Sequence, residues 1–370
     1  MIYFDNAATT FPKPREVTQE VNNCLQKYCG NPGRSGHKLS IRASEEIYAV
    51  REKVANHLNL QTADRVVFTQ NATYALNIAI QGLIREKCHI IISDIEHNSV
   101  IRPIHALVER YGCEISIFHS DTDLYRALIP LIREDTRYIV CTSTSNVTGK
   151  NIDIYTLSDI AGKYNLSLIL DLSQTIGHVR IDADRMHFSA LCAPGHKGLY
   201  GIQGSGFVIF GKDAKPRPLI YGGSGAESRS KYMPETLPEA IEAGTLSTPS
   251  IVSLGRGIEY IEKYGLKNVA AHHDRLTELC RDRLENLTYV RLLSAQNGIV
   301  CFNVEGYSSE QVSARLNKRN IAVRGGLHCA PFAHERLGTL DKGAVRASFS
   351  IFNKPSEINR FYNALRSEFQ

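Results

Sequence analysis

No two cysteines in this sequence are spaced as a C-x-x-C pair, and no stretch carries a block of one charge sign. No uninterrupted apolar run approaches the ~18 residues that a membrane span needs. Each absence removes a class of protein. The nine cysteines (24, 29, 88, 113, 141, 192, 280, 301 and 329) lie far apart and are odd in number. That pattern describes reduced thiols rather than a disulfide framework, and it sets a cytoplasmic location as the expectation. The 43 basic and 38 acidic side chains are interspersed, so the net charge of +5 leaves no clustered basic footprint. A nucleic-acid partner is therefore not expected. The opening Met1-Ile-Tyr-Phe-Asp-Asn has no basic stretch followed by an apolar one, so neither a secretory signal nor a membrane partner is expected. Repeats and low-complexity linkers are also missing. What remains is 43% hydrophobic and 22% charged, the balance of a soluble globular protein. A chain of 370 residues suits two domains of roughly 100–200 residues each.

Between about residues 40 and 210 the chain alternates helical and extended patterns. Helical apolar spacing covers 40–58, 73–84, 100–111, 124–132 and 157–164. Short β-branched or apolar runs cover 66–69, 89–93, 114–118, 138–142, 167–171, 189–192 and 207–210. This succession predicts an α/β fold with a mostly parallel sheet of the seven-stranded type. After about residue 248 the pattern changes to one long helix over 251–287. Strands at 290–293 and 299–304, a helix at 309–319, strands at 322–324 and 344–350, and a helix at 356–369 follow. The expected organisation is an N-terminal segment 1–15 packing with the small domain, a large domain 16–250, and a smaller α+β domain 251–370.

Ligands of open α/β sheets bind beyond the carboxyl ends of the strands, and six polar groups fall in the loops. Thr69-Gln-Asn-Ala-Thr-Tyr turns from strand to helix near Ala72 and Thr73, either a phosphate cradle or an ordinary helix cap. In Asp94-Ile-Glu-His-Asn-Ser, His97 could stack on a ring or shuttle protons, or be a surface histidine. Asn146, in Ser143-Thr-Ser-Asn-Val-Thr-Gly, could bond a cofactor hydroxyl or simply turn the loop. Asp171 ends an apolar strand and needs a cationic partner, which a protonated pyridine nitrogen or an internal salt bridge would supply, with Gln174 nearby. Ala193-Pro-Gly-His-Lys-Gly-Leu-Tyr-Gly confines Lys197 in a glycine-dense turn, where lost solvation lowers an amine's pKa toward its nucleophilic range. Lastly, Val323-Arg-Gly-Gly-Leu-His-Cys-Ala-Pro sets Cys329 beside His328 and close to Arg324, whose charge would favour the thiolate. His328, Cys329 and His334 could also be read as zinc ligands, but the second cysteine pair is missing; no metal is expected. Together the six groups make the inventory of pyridoxal-phosphate chemistry at sulfur.

The sequence resembles the cysteine desulfurase family of the class V aminotransferase fold, nearly end to end. The resemblance runs from Tyr3-Phe-Asp-Asn-Ala-Ala-Thr-Thr to Val345-Arg-Ala-Ser-Phe. Gly195-His196-Lys197, Asp171 with Gln174, and Arg324-Gly-Gly-Leu-His-Cys329-Ala carry it most specifically, the last resembling the branch that includes selenocysteine lyases. It implies a fold type I enzyme with pyridoxal 5'-phosphate as a Schiff base on Lys197 and His97 stacked on the ring. Asp171 would pair with the pyridine nitrogen and Gln174 with the ring hydroxyl. Asn146 would lie beside cofactor and substrate, and Ala72, Thr73 and His196 would hold the phosphate. It further implies a homodimer in which Thr245 reaches the phosphate of the other subunit. Arg346 would bind the substrate carboxylate, with Arg324 as a further substrate contact. Cys329 would accept sulfur from L-cysteine as a persulfide, leaving L-alanine, and pass it to an acceptor protein or small thiol. One departure is Pro194, where relatives often carry a phosphate-binding serine. The alternatives are a selenocysteine lyase acting on L-selenocysteine, a class V aminotransferase, or a non-catalytic thiol or metal-binding protein.

Overall fold

The computed structural model describes residues 1–33 and 35–369. A two-residue strand, β1 (Ile2–Tyr3), precedes helices α1 (Arg15–Lys27) and α2 (Lys38–His57). The sheet-and-helix succession then begins: β2 (Val66–Thr69), α3 (Ala72–Leu83), β3 (His89–Ser93), α4 (Asn98–Tyr111) and β4 (Glu114–Phe118). It continues through α5 (Leu124–Leu128), β5 (Thr136–Thr142), α6 (Ile154–Lys163), β6 (Ser167–Asp171), β7 (Ala190–Pro194) and β8 (Gly206–Phe210). Beyond an irregular stretch come α7 (Thr248–Tyr264), α8 (Leu266–Glu285), β9 (Val290–Gln296), β10 (Ile299–Val304), α9 (Ser309–Lys318) and β11 (Ile321–Ala322). The chain closes with α10 (Pro331–Arg336), β12 (Val345–Ser348) and α11 (Pro355–Phe369).

Seven strands form the main sheet in the order β2-β8-β7-β6-β5-β3-β4. All run parallel except β8, which is antiparallel to both neighbours. Their apolar runs are explained by burial on both faces. Ile91, Ile139, Cys141, Leu168, Leu170 and Leu191 join one core cluster, while Ile90, Ile92, Val140, Ile169 and Cys192 join another. From β3 the chain moves outward to β4 and then returns past β3 to β5 and β6. That reversal puts the topological switch point between β3 and β5, where open α/β sheets open a crevice for ligands.

The last third packs a three-stranded antiparallel sheet, β12-β10-β9, against α8, α9 and α11. The N-terminus belongs to this layer. β1 pairs in parallel with β11, and fully buried Phe4 meets Phe349 and Phe361 edge-on at 5.0 and 5.7 Å.

Two sequence expectations need correction, and one helix has no counterpart among them. The helix expected over 251–287 is two, parted at Gly265, whose φ of 90° and ψ of 122° leave helical space. The helix expected over 124–132 becomes a 3₁₀ turn at Ile129–Leu131, where Pro130 offers no N–H to an α-helical ladder. Helix α1 was not foreseen; it has no side-chain N-cap and buries only Val17 and Cys24, so its apolar signal is thin. Because Phe4 fastens the first strand into the small layer's core, Phe4→Ala is expected to cost about 3–5 kcal/mol, read as a lowered denaturation midpoint.

Candidate active site

At the carboxyl ends of β3, β5, β6 and β7 lies a cavity of about 170 Å³. Its walls include Ala72, Thr73, His97, Asn146, Asp171, Gln174, His196 and Lys197. Eight separate sequence candidates thus share one chamber.

Each is aimed by local structure. Asn71 caps α3, accepting the Tyr74 N–H at 3.0 Å, so the first N–H groups of that helix face the chamber beside Ala72 and Thr73. Gly206 is needed here, since a Cβ on it would lie 2.8 Å from the Asn71 carbonyl carbon. His97 caps α4 in the same way, its Nδ1 accepting the Ser99 N–H at 3.0 Å. That bond fixes the ring's orientation, and burial, outweighing the pull of Asp171, lowers its pKa to about 4. His97 is therefore neutral at pH 7, with its proton on Nε2. The hydroxyl missing at Pro194 has a counterpart across the chamber, where Ser99 and Thr73 Oγ atoms lie 2.8 Å apart.

Asp171, 3% exposed, accepts the Ser173 N–H at 2.9 Å on Oδ1. Lys197 follows β7 in the turn closed by Tyr200 N–H to the Lys197 carbonyl at 2.9 Å. Gly198 permits that turn to touch the neighbouring one, since a Cβ there would lie 2.1 Å from the Ile176 carbonyl oxygen. Burial lowers the Lys197 amine to about 8; Asp171 opposes this, while Arg346 and Arg324 reinforce it.

Several supporting residues were not foreseen. Thr10 Oγ1 donates to the Lys197 carbonyl at 3.1 Å, and Lys13 Nζ donates to the His196 carbonyl at 2.8 Å. Thr9 Oγ1 meets His196 Nδ1 at 3.1 Å, and Gln174 Nε2 donates to the Ala7 carbonyl at 2.9 Å. The N-terminal segment is thus a strap across the base of the lysine turn. Glu96, fully buried, accepts the Thr142 N–H at 2.9 Å and the Ser93 hydroxyl, which ties β3 to β5 under the site. Burial raises its carboxyl to about 8. The strap's residues carry no local period that points to the lysine turn, and neither does Glu96 beside His97.

The second half of the candidates stands at the rim. Arg324 and Arg346 exchange backbone hydrogen bonds at 3.1 and 2.8 Å. Arg346 is 1% exposed, donating from Nη1 to the Asn146 carbonyl and from Nη2 to Asp5, each at 2.8 Å. Its Nε–H is buried without a partner among the described residues. Arg324 Nη2 approaches Cys329 Sγ at 3.8 Å, and the cysteine side chain is exposed. The Cys329 carbonyl accepts the Asn98 N–H at 2.7 Å, and the His328 carbonyl accepts Asn146 Nδ2 at 2.8 Å. His328 Nδ1 and His334 Nε2, raised above as zinc ligands, lie 3.1 Å apart and bond each other. Among the described residues no three His, Cys, Asp or Glu side chains gather as a metal site. Thr245 is absent from the chamber; it is exposed beside Gln70, Tyr74, Leu219 and Ile220. No described helix is long and apolar enough to cross a membrane.

The chamber has what pyridoxal phosphate requires: helix N–H groups and hydroxyls for a phosphate, a histidine ring for one face, a buried carboxylate and a desolvated amine. The sequence matches the aminotransferase class-V family over residues 2–361. It is 31% identical to a probable cysteine desulfurase of Methanothermobacter thermautotrophicus, over 96% of this chain and 92% of that one. It is 28% identical to a cysteine desulfurase of Escherichia coli, over 99% and 93%. An apo cysteine desulfurase structure from Thermococcus onnurineus superposes with a TM-score of 0.90 at 27% identity, covering 100% of this chain and 94% of that one. With fold, chamber and comparisons in agreement, the chain belongs to the aminotransferase class-V family and, within it, to the cysteine desulfurases.

Proposed function

We propose that the protein removes sulfur from L-cysteine, giving L-alanine and a persulfide on Cys329, with pyridoxal 5'-phosphate held by Lys197. The observation that carries this reading is the hydrogen bonding of the Cys329 loop to Asn146 of the chamber wall and to Asn98, which stands between the wall residues His97 and Ser99. A thiol with no part in the chemistry has no need of that anchorage.

The cofactor's phosphate would lie against Ala72, Thr73, Ser99 and His196. Its ring would lie under His97, its pyridine nitrogen on Asp171 and its hydroxyl near Gln174. When bound, the cofactor supplies the electron sink that acidifies a substrate's α-carbon and loosens its carbon–sulfur bond. Arg346 meets the substrate carboxylate through its unpartnered Nε–H, a donor whose isolation costs about 1–3 kcal/mol until an acceptor arrives. Arg324 adds positive charge beside it. Lys197 takes the α-proton, which an amine near 8 does well at neutral pH; general bases of this kind contribute roughly 100- to 10,000-fold. Cys329 then attacks the substrate sulfur as its bond to carbon breaks. The balance is L-cysteine plus the Cys329 thiol giving L-alanine plus the Cys329 persulfide. An acceptor protein or small thiol takes the outer sulfur.

A homodimer fits the surface around Thr245. Tyr74, Leu219, Ile220 and Tyr221 leave apolar area exposed there, with Ile220 at 51% and Tyr221 at 71%. A second copy covering it would bring Thr245 toward the partner's phosphate site. The reading also places the protein in the cytoplasm, where its thiols stay reduced.

Three outcomes test this reading. Cys329→Ala should keep the yellow colour of the loaded protein yet lose persulfide formation and fall at least about 100-fold in alanine release from L-cysteine; retained release removes the thiol from the reaction. In protein stripped of cofactor, borohydride trapping of a small aldehyde at Lys197 should rise about tenfold per pH unit and level off above about 8. Peptide mapping reads this, and a plateau near the ordinary lysine value would mean that the amine is not desolvated. Sedimentation should give a dimer, and Ile220→Asp should shift it toward monomer.

A further inference from the structure

His328, His334 and Thr339 are buried to 2%, 0% and 3% exposure, and sequence spacing gives them no part in the reaction. Their contacts run in one direction. His328 Nε2 faces the Arg324 carbonyl at 3.2 Å, which only accepts, so His328 carries its proton on Nε2. Burial lowers His328 to about 2, so its other nitrogen, Nδ1, is a bare acceptor. Nδ1 therefore takes the Nε2–H of His334 at 3.1 Å. His334, lowered by burial to about 4, is then bare at Nδ1 and accepts the Thr339 hydroxyl at 2.8 Å. The two rings are nearly parallel, 16° apart. The order is Thr339 to His334 to His328 to the Arg324 backbone; the Thr339 hydroxyl also lies 3.4 Å from the His334 carbonyl, a longer contact than the 2.8 Å to Nδ1.

That line ends on the loop whose shape presents Cys329. His328 and Cys329 have φ of 50° and 58°, left-handed backbone that a non-glycine residue holds only when its surroundings impose it. Two further bonds hold the same loop from the other side, Asn98 N–H to the Cys329 carbonyl and Asn146 to the His328 carbonyl. Arg324, where the line ends, is also bridged to Arg346.

We propose that Thr339, His334 and His328 form a positioning relay that holds the Cys329 loop in its left-handed conformation, so that sulfur transfer depends on it while proton removal by Lys197 does not. The inference rests on the sulfur-transfer reading above. Without the relay the loop would relax toward ordinary backbone, and the fraction of molecules with Cys329 presented would fall.

The test uses the full chain as purified, with Thr339→Val, His334→Phe and Thr339→Ser, melting temperatures being recorded to confirm folding. The first readout is hydrogen exchange at the Asn98 and Ala330 amides, which the loop carbonyls of Cys329 and Leu327 hold. Protection should fall about tenfold in the first two variants and recover in Thr339→Ser, which keeps the hydroxyl. The second readout compares two steps with L-cysteine in the loaded protein. Persulfide formation should fall about tenfold, with α-proton exchange within about twofold of wild type. Unchanged amide protection overturns the relay. Loss of α-proton exchange in step with the persulfide also overturns it, since the three residues would then support the whole site. Protection that follows the substitutions in a protein that makes no persulfide overturns the sulfur-transfer reading instead and leaves the hold on the loop standing.

Discussion

The removal of one amine from water governs this site. An amine becomes a nucleophile and base near neutral pH only if its charged form is made costly, and at Lys197 burial does most of that. Arg324 and Arg346 add repulsion, while Asp171 limits the shift by favouring the charged form. The surrounding structure meets that demand. A turn that packs Gly198 against Ile176 keeps the lysine down, and the strap of Thr9, Thr10 and Lys13 grips the backbone on either side of it. Lys13 is itself lowered to about 8 by burial, a second amine held short of full hydration beneath the first.

The large sheet and the small layer contribute different things. The sheet supplies the chamber, because its strand ends converge where the strand order reverses. The small layer supplies the rim: Arg346 on β12, Arg324 after β11, and the cysteine loop. These are not independent attachments. The backbone bridge between Arg324 and Arg346 makes the buried Arg346 and the root of the cysteine loop one mechanical piece. Asp5 and Asn146 then fasten Arg346 to the strap and to the chamber wall.

Much of this was legible in the sequence, for reasons specific to each element. Strands buried on both faces, such as His-Ile-Ile-Ile-Ser at β3, announce themselves by continuous β-branched runs. The chemistry-bearing residues stood out because Asp171, Lys197 and Asn146 interrupt such runs or follow them directly. What escaped was tertiary. Asp5 lies 341 positions from the arginine it pairs with, and Thr10 lies 187 from the lysine carbonyl it binds; no local period records either contact. In the sequence His334 reads only as a metal ligand, because its ring partner and its hydroxyl donor meet it only when α10 folds back. Gly265 hides inside a helical pattern because one glycine does not interrupt the apolar spacing on either side of it.

The parallel pairing of Ile2 with Ile321 bears on how the chain is made. A ribosome releases the first strand long before its partner exists, so during most of synthesis Ile2 and Phe4 have no core to enter. The large sheet can assemble in the meantime from neighbours close in sequence, in keeping with the tendency of chains to form local contacts first. The strap can reach the lysine turn once residue 197 is made, but the pairing of Ile2 and the packing of Phe4 that anchor it must wait for Ile321, Phe349 and Phe361. A truncated or stalled product would therefore carry the chamber's walls with the strap's outer end unanchored and without Arg346 or the cysteine loop, so the candidate site is completed only once β12 is in place.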